Sequence, residues 1–343
     1  MKLNKHALND PVAQELLTAQ QAEQLWLFLS SRPAYTPRFQ ITNILYYMGG
    51  LIAIGAMTLL MNLGWERFGG WGLLVLACLY AVAGIALTEW LLHRIKQPVA
   101  AGNTAALVVV MTPLGIYGLQ VAMGWWPEGM VYREYHLLID WRWVFMELGT
   151  LICGAVMLWR YRLPFLVMPI AATLWYMSMD VAALVWGHQQ MSWQAREMVS
   201  LGFGLGILGL ALWVDIRSRF TQDFAYWLYG FGAIVFWGAL TSMKSQGLSQ
   251  FSFLCINLLL IASGAVLRRS ILITLGGLGV TIYLFYLTSR VFANSSAFPF
   301  VLTAIGLSII GTGILWQRHE TAISESLRAR LPKVIRELLE KND

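Results

Sequence analysis

Ten apolar segments of membrane length follow residue 40, and they constrain the fold more than any other feature of the sequence. A helix needs about 20 mostly apolar residues to cross about 30 Å of hydrocarbon. The predicted spans are 41–63, 71–93, 99–124, 143–160, 164–187, 198–215, 224–242, 250–267, 270–289 and 297–316. The sequence therefore predicts an all-α, polytopic membrane helix bundle with about ten transmembrane helices.

The composition agrees with a membrane protein. Hydrophobic residues make up 58% of the 343 residues and charged residues only 12%, about half the charged fraction of a soluble domain. The 31 glycines and 16 tryptophans are typical of close helix contacts and interfacial aromatic belts. The net charge of +6 comes from dispersed residues without the clustered patch that nucleic acid requires. Membrane lipids are therefore predicted partners, and nucleic acid is not.

The basic residues predict the orientation of the spans. If the N-terminus is cytoplasmic, 18 of the 24 Lys and Arg residues fall on the cytoplasmic side. The six on the opposite side are Arg67, Arg133, Arg142, Arg196, Lys244 and Arg290. Such a bias is expected from the positive-inside rule. It predicts that both termini are cytoplasmic and that the number of spans is even, because one extra or missing span would scramble the alternation.

Two cytoplasmic appendages are predicted to flank the ten-span domain, residues 39–317. Residues 1–38 form a small helical hairpin, in which Thr18 and Gln21 have the spacing of a capping box. This hairpin either packs on the base of the membrane domain or docks a protein partner. Residues 318–343 form a basic amphipathic helix, which either lies on the inner leaflet or caps the bundle.

Four acidic residues fall within the predicted spans, where a charge costs several kcal/mol. Glu89 and Asp215 lie near cytoplasmic ends, close in sequence to Arg94 and Arg217. Interfacial ion pairs are the simplest interpretation of these two acids.

Glu147 and Asp180 are different because both fall in the outer third of the membrane. They lie on consecutive spans joined by a tight turn, and their heights above that turn differ by roughly 5 Å. We expect them to share one cavity, while direct contact depends on helix rotation, which the sequence does not define.

The connection 125–143 is the longest outer loop, and it places acidic, basic, histidine and aromatic side chains at the membrane surface. Two interpretations are open. Its charges pair with one another while its aromatic residues anchor it, or it lines an outward-facing vestibule. The candidate substrate or proton site comprises Glu147, Asp180, Glu134, His136, Asp140 and Arg142.

No established catalytic or cofactor signature occurs in the sequence. It has no P-loop, no H-E-x-x-H, no G-x-S-x-G and no Gly-rich dinucleotide turn. Cys78, Cys153 and Cys255 are too widely spaced for a C-x-x-C metal site or a disulfide framework, and no histidine falls at mid-membrane, where a bis-histidine haem would need it. Catalytic residues, metals and cofactors are therefore not predicted.

Small residues at i, i+4 predict close helix contacts. The pairs are Gly49 with Ala53 and Gly202 with Gly206. The glycines at 276–279 favour packing in the same way, with a hinge or a broken helix as the alternative.

Two stretches carry a family resemblance. The first, 16–25, reads LLTAQQAEQL, and the second runs from ILYYMGG at 44–50 to NLGW at 62–65. They resemble an uncharacterised bacterial family of polytopic membrane proteins, a domain of unknown function with an N-terminal cytoplasmic helical hairpin. The resemblance covers about the first quarter of the chain. It implies a bacterial inner-membrane location and supplies no activity.

Three functions are compatible with these features. The first is a transporter or permease for a small solute or lipid, for which ten spans would suit two inverted five-helix repeats, although the halves share no convincing sequence similarity. The second is a non-catalytic sensor or assembly factor that uses the two appendages. The third is a membrane-embedded enzyme with an outward-facing site.

Overall fold

The computed structural model describes residues 41–64, 68–126, 141–186, 193–217, 223–243, 249–267 and 269–287, with isolated positions at 18–24 and 300–307. Within these residues the chain is helical and contains no strand. The all-α class is therefore confirmed. The chain divides into two compact units, Met1–Gln40 and Ile41–Asp343.

Nine α-helices make up the described part of the larger unit. In chain order they are α1 Ile41–Gly64, α2 Gly69–Trp90, α3 Pro98–Ala122, α4 Trp141–Tyr161, α5 Val167–Trp186, α6 Trp193–Arg217, α7 Phe224–Met243, α8 Gln250–Leu267 and α9 Ser270–Tyr286. A π-helical turn, Leu91–Ile95, continues α2, and a 3-10 turn, Pro164–Leu166, precedes α5.

These helices occupy the first nine predicted spans. Helices α2 to α8 are the seven long and apolar enough to cross a membrane, while α9 and the Leu45–Ala56 part of α1 are shorter apolar helices. The chain thus has the helices of a multi-pass integral membrane protein. The tenth span, 297–316, lies almost entirely outside the described residues, so the count of ten stays a prediction.

Helices α3 and α7 are the centres of the two packed regions. In their most apolar stretches 50% and 56% of the residues are buried, against 17% to 28% in α2, α4, α5, α6 and α8. Helix α3 packs against α1, α2 and α4, and α7 packs against α5, α6 and α9. The remaining exposed apolar side chains are as expected for helix faces turned towards lipid.

Glycines allow the two tightest hairpins to close. A Cβ at Gly118 of α3 would come within 2.7 Å of the Leu74 backbone nitrogen of α2. In the second hairpin, a Cβ at Gly204 of α6 would lie 2.6 Å from the Phe236 backbone nitrogen of α7. No side chain can occupy such a space without separating the helices.

The close helix contacts predicted at Gly49, Gly202 and Gly206 are made by neighbouring glycines instead. Gly49, Gly202 and Gly206 have no heavy atom within 4 Å of an added Cβ in the described part of the chain. Gly50 and Gly204 make the close contacts instead. Sequence spacing finds a small-residue stripe, but it does not define which side of the helix meets a neighbour.

In the N-terminal unit, the predicted capping box is present. The Thr18 backbone N–H donates to Gln21 Oε1 at 3.0 Å, and the Gln21 N–H donates to Thr18 Oγ1 at 3.2 Å. The rest of the predicted hairpin and the amphipathic helix at 318–343 lie outside the described residues.

A pair of alanine substitutions tests the α6–α7 contact. We expect Gly204→Ala to lower the free energy of unfolding by about 1–3 kcal/mol, because the methyl group meets backbone atoms that cannot move aside. Gly202→Ala, half a turn away in open space, serves as the matched control and should change stability by less than about 0.5 kcal/mol. Thermal unfolding of the purified protein in detergent measures both, and equal effects would contradict the packing described.

Candidate functional site

The turn between α4 and α5 makes these two helices antiparallel neighbours. Arg162 has a left-handed φ of 51°, and Leu163 is extended, with φ −90° and ψ 124°. The Leu166 N–H then donates to the Leu163 carbonyl at 3.1 Å and closes the 3-10 turn that starts at Pro164. Because only two residues separate the helical segments, the chain must reverse there, as the sequence predicted.

This reversal brings the two predicted acids to the same depth. Glu147 lies six residues after Trp141, where α4 begins, and Asp180 lies six residues before Trp186, where α5 ends. At 1.5 Å per residue, each acid is about 9 Å from that end of its helix. We call the face at which α4 begins and α5 ends the predicted outer face.

The side chains of Glu147 and Asp180 face each other. Glu147 is only 5% exposed, and its carboxyl group interacts directly with that of Asp180. Neither Glu147 oxygen accepts a hydrogen bond from a donor within the described residues. The nearby Thr150 hydroxyl donates instead to the Met146 carbonyl at 2.6 Å. The direct contact that the sequence left open is therefore made, although its role as a substrate or proton site stays a prediction.

Arg142 belongs to an aromatic cluster at the predicted outer face. Its guanidinium carbon lies 5.5 Å from the ring centroids of both Trp126 and Trp141. Gln120 holds the same region together, since its Nε2 donates to the Arg142 carbonyl at 3.2 Å and its Oε1 accepts from Trp126 Nε1 at 3.0 Å. These contacts favour the interpretation in which aromatic residues anchor the loop over the interpretation in which the loop lines a substrate site.

The other candidate residues lie only partly within the described chain. Arg142 is five residues before Glu147 on α4, about 7.5 Å along the helix axis. Three of the six predicted site residues lie outside the described part of the chain: Glu134, His136 and Asp140. Their place in the site stays a prediction.

Another buried acid, Glu197, was missed because the sixth span was predicted to begin at residue 198, five residues after the helix begins. Helix α6 begins at Trp193, so Glu197 lies within it, 5% exposed, and accepts a hydrogen bond from Ser242 Oγ of α7. Trp175 Nε1 of α5 donates to Ser200 Oγ of α6 at 3.2 Å and ties these helices at a nearby level. The interfacial tryptophan at 193 was the signal for an earlier start.

Glu89 forms the predicted kind of interfacial ion pair, but with a different partner. Its Oε1 accepts from Arg160 Nη2 at 3.2 Å and from the Tyr161 hydroxyl at 3.0 Å, and its Oε2 is 3.0 Å from His93 Nδ1. The pair joins α2 to the end of α4, whereas the sequence suggested Arg94.

Asp215 likewise pairs with Arg269 and not with Arg217. Arg269 Nη2 lies 2.8 Å from both carboxylate oxygens of Asp215, and Nη1 lies 2.6 Å from Asp223 Oδ2. The Arg269 guanidinium also lies 5.1 Å from the Tyr229 ring centroid. Arg269 and Asp215 are each 9% exposed. We call Arg269, Asp215, Asp223 and Tyr229 the arginine cluster.

The arginine cluster connects three helices at the face opposite the predicted outer face. Asp215 is near the end of α6, Arg269 immediately precedes α9, and Asp223 precedes α7, where its Oδ1 accepts the Tyr226 backbone N–H at 2.9 Å. Burial lowers the pKa of Arg269, but its hydrogen bonds and ion pairs with Asp223 and Asp215 outweigh burial and raise it. The cluster is a structural clamp whose charges are paired.

No metal centre is found in the described part of the chain, where no three His, Cys, Asp or Glu side chains are grouped to hold an ion. Comparisons with protein-family models, curated proteins and solved structures give no significant match to this chain. The function therefore has to be argued from the geometry of the acidic pair.

Replacing Arg269 in the arginine cluster should lower the stability of the folded protein. We expect Arg269→Leu to lower the free energy of unfolding by about 3–5 kcal/mol, because the buried Asp215 and the partly buried Asp223 lose their cationic partner. Arg217→Leu, at the end of α6, is the matched control and should cost less than about 1 kcal/mol. Thermal unfolding in detergent compares them, and a mild effect of Arg269→Leu would show that the cluster does not hold the helices together.

Proposed function

We propose that this chain is a permease for a small solute or lipid, and that Glu147 and Asp180 form its substrate or proton site. The contact between two carboxyl groups inside the membrane-spanning helices is the observation that carries the proposal. Ionisable groups within a bilayer are costly and usually mark an ion or substrate path. The acids of the arginine cluster and Glu89 have cationic partners that explain them as structural, and Glu197 accepts a hydrogen bond from Ser242.

The position of the pair suits a transport site. At about 9 Å from the helix ends, the two acids are within reach of the predicted outer face yet shielded by packed helices. A site between two helices can open or close by a small change in their separation, as alternating access requires. The alternatives, a sensor or assembly factor and an outward-facing enzyme, depend on the appendages 1–38 and 318–343 and on the outer loop 125–143, which lie mainly outside the described residues.

Neutralising either acid should abolish transport without loss of folded protein. The full-length chain would be reconstituted into liposomes that enclose a pH-sensitive dye and challenged with pools of organic cations, amino acids, sugars, nucleosides and short-chain lipids. We expect at least one pool to give a proton signal that falls to background in Glu147→Gln and Asp180→Asn. Glu89→Gln, which removes a carboxylate at the opposite face, is the control and should retain the signal. Absence of any signal, or its persistence in both variants, would refute the permease.

We further propose a bacterial inner-membrane location with both termini in the cytoplasm. The charge bias of the connections supports this orientation, and the resemblance of the N-terminal quarter supports the compartment.

Cysteine labelling tests the orientation. In a chain whose three native cysteines are replaced by serine, Met123→Cys at the end of α3 should react with a membrane-impermeant maleimide on intact spheroplasts. Gln97→Cys, in the exposed turn between α2 and α3, should react only after lysis, because the two sites lie at opposite ends of one helix. The reverse pattern would invert the proposed topology.

A further inference from the structure

Two helix ends at the face opposite the predicted outer face are tied together by one acid. Glu89, near the end of α2, accepts hydrogen bonds from Arg160 Nη2 at 3.2 Å and from the Tyr161 hydroxyl at 3.0 Å, both at the end of α4. His93 Nδ1 lies 3.0 Å from the other carboxylate oxygen of Glu89. The connection that follows α2 and the turn that follows α4 therefore begin side by side.

These two connections carry three further cations. Arg94 lies in the π-helical turn that continues α2, Lys96 directly follows that turn, and Arg162 directly follows α4. All three are exposed, and within the described part of the chain their side chains have no hydrogen bond, ion pair or ring contact. Glu89, the acid nearest in sequence, is already paired with Arg160. The surface therefore carries positive charge without an acidic partner, in contrast to the arginine cluster.

The backbone at two of these cations would favour glycine. Lys96 has a φ of 58° and Arg162 a φ of 51°, and within the described residues they are the two non-glycine positions with a left-handed φ. A side chain in this conformation crowds its own backbone, so glycine is the usual residue where a helix ends in this way. A basic side chain at both positions opposes the local backbone preference, which indicates a role for the charge beyond closing the turn.

Exposed apolar side chains lie next to these cations on the membrane side. Trp90 of α2 and Trp159 of α4 are both exposed and are adjacent in sequence to the ion pair that joins the two helices. Further into the membrane, Val156 and Ile152 of α4 are exposed as well. Tryptophan is typical of the level where hydrocarbon meets headgroups, and Arg94 is four residues beyond Trp90, about 6 Å along the helix axis. Cations above an apolar surface are complementary to an anionic phospholipid, which has a phosphate above its acyl chains.

We propose that Arg94, Lys96 and Arg162 bind the phosphate of an anionic phospholipid, whose acyl chains lie on the exposed apolar side chains of α2 and α4. The ion pair between these helices keeps the two connections next to each other, so cations from both contact the phosphate. A bound lipid links the α2–α3 connection to the α4–α5 turn and stabilises the packed region around α3. The site goes beyond the proposed transport function and does not depend on it, since it lies at the face opposite the acidic pair.

Thermal unfolding of the full-length protein in maltoside micelles tests the lipid site. We expect dioleoylphosphatidylglycerol, added in stages, to raise the unfolding temperature until the site is filled. Dioleoylphosphatidylcholine, which has the same chains and no net charge, should raise it much less. Glycerol 3-phosphate, which has the phosphate and no chains, should have no effect at the same concentration. No rise with the anionic lipid, or an equal rise with either of the other two compounds, would overturn the inference.

Glycine variants separate lipid binding from folding. Lys96→Gly and Arg162→Gly together remove two cations and relieve both left-handed residues, so the lipid-free protein should unfold at the same or a higher temperature. Its apparent affinity for the anionic lipid should nevertheless fall about 25-fold, which is about fivefold for each charge. Lys96→Arg with Arg162→Lys keeps both charges and should retain most of the affinity.

Arg217→Gln is the matched control, because Arg217 is another exposed cation at the same face, at the end of α6. It should leave the affinity for the anionic lipid unchanged, whereas Arg162→Gln alone should lower it about fivefold. Equal losses would show that the lipid responds to overall charge and not to this site, and an unchanged affinity in the double glycine variant would also refute the site. If the glycine variant does not fold, Lys96→Gln with Arg162→Gln makes the same comparison.

Discussion

Inside a bilayer no water is available to solvate a polar group, and this constraint governs the whole arrangement. Backbone groups satisfy it by forming helices, and ionisable side chains must find a partner within the protein or reach an interface. Glu89 does so with Arg160, and Asp215 with Arg269. Charged contacts near the helix ends consequently fix helices to one another. Within the spans, glycine and apolar side chains provide most of the packing, and the buried Asn257 of α8 adds a polar contact by accepting a hydrogen bond from Trp237 Nε1 of α7 at 3.0 Å.

The packing around α3 is repeated only in part around α7. Helix α3 forms a tight hairpin with α2 and also contacts α1, while α7 forms a tight hairpin with α6 and also contacts α5. The third neighbour differs, because α3 packs against the helix that follows it, α4, whereas α7 packs against α9. Beyond their central hairpins, the two packed regions are therefore built differently.

Features set by a single stretch of sequence were predictable. Contacts between two helices that are distant in sequence were not. The spans and the Thr18–Gln21 capping box follow from length, apolarity and local spacing. The partners of Glu89 and Asp215 are 71 and 54 residues away in sequence, and nothing in the sequence selects them over nearby Arg94 and Arg217. Gly202 was favoured over Gly204 for the same reason, because helix rotation is a property of the assembled bundle. For Glu147 and Asp180, the short turn fixed their depth and only the packing fixed their contact.

The contrast between the arginine cluster and the acidic pair separates a structural site from a candidate functional one. In the cluster, one guanidinium contacts both Asp215 and Asp223, so a cation that belongs to the fold holds the two carboxylates together. In the pair, Glu147 is 5% exposed and its carboxyl group interacts with that of a second acid, Asp180. Two carboxyl groups brought together within membrane-spanning helices oppose the packing of those helices. The stability of the bundle therefore does not account for the pair, and this is the physical reason to place the proposed transport site there.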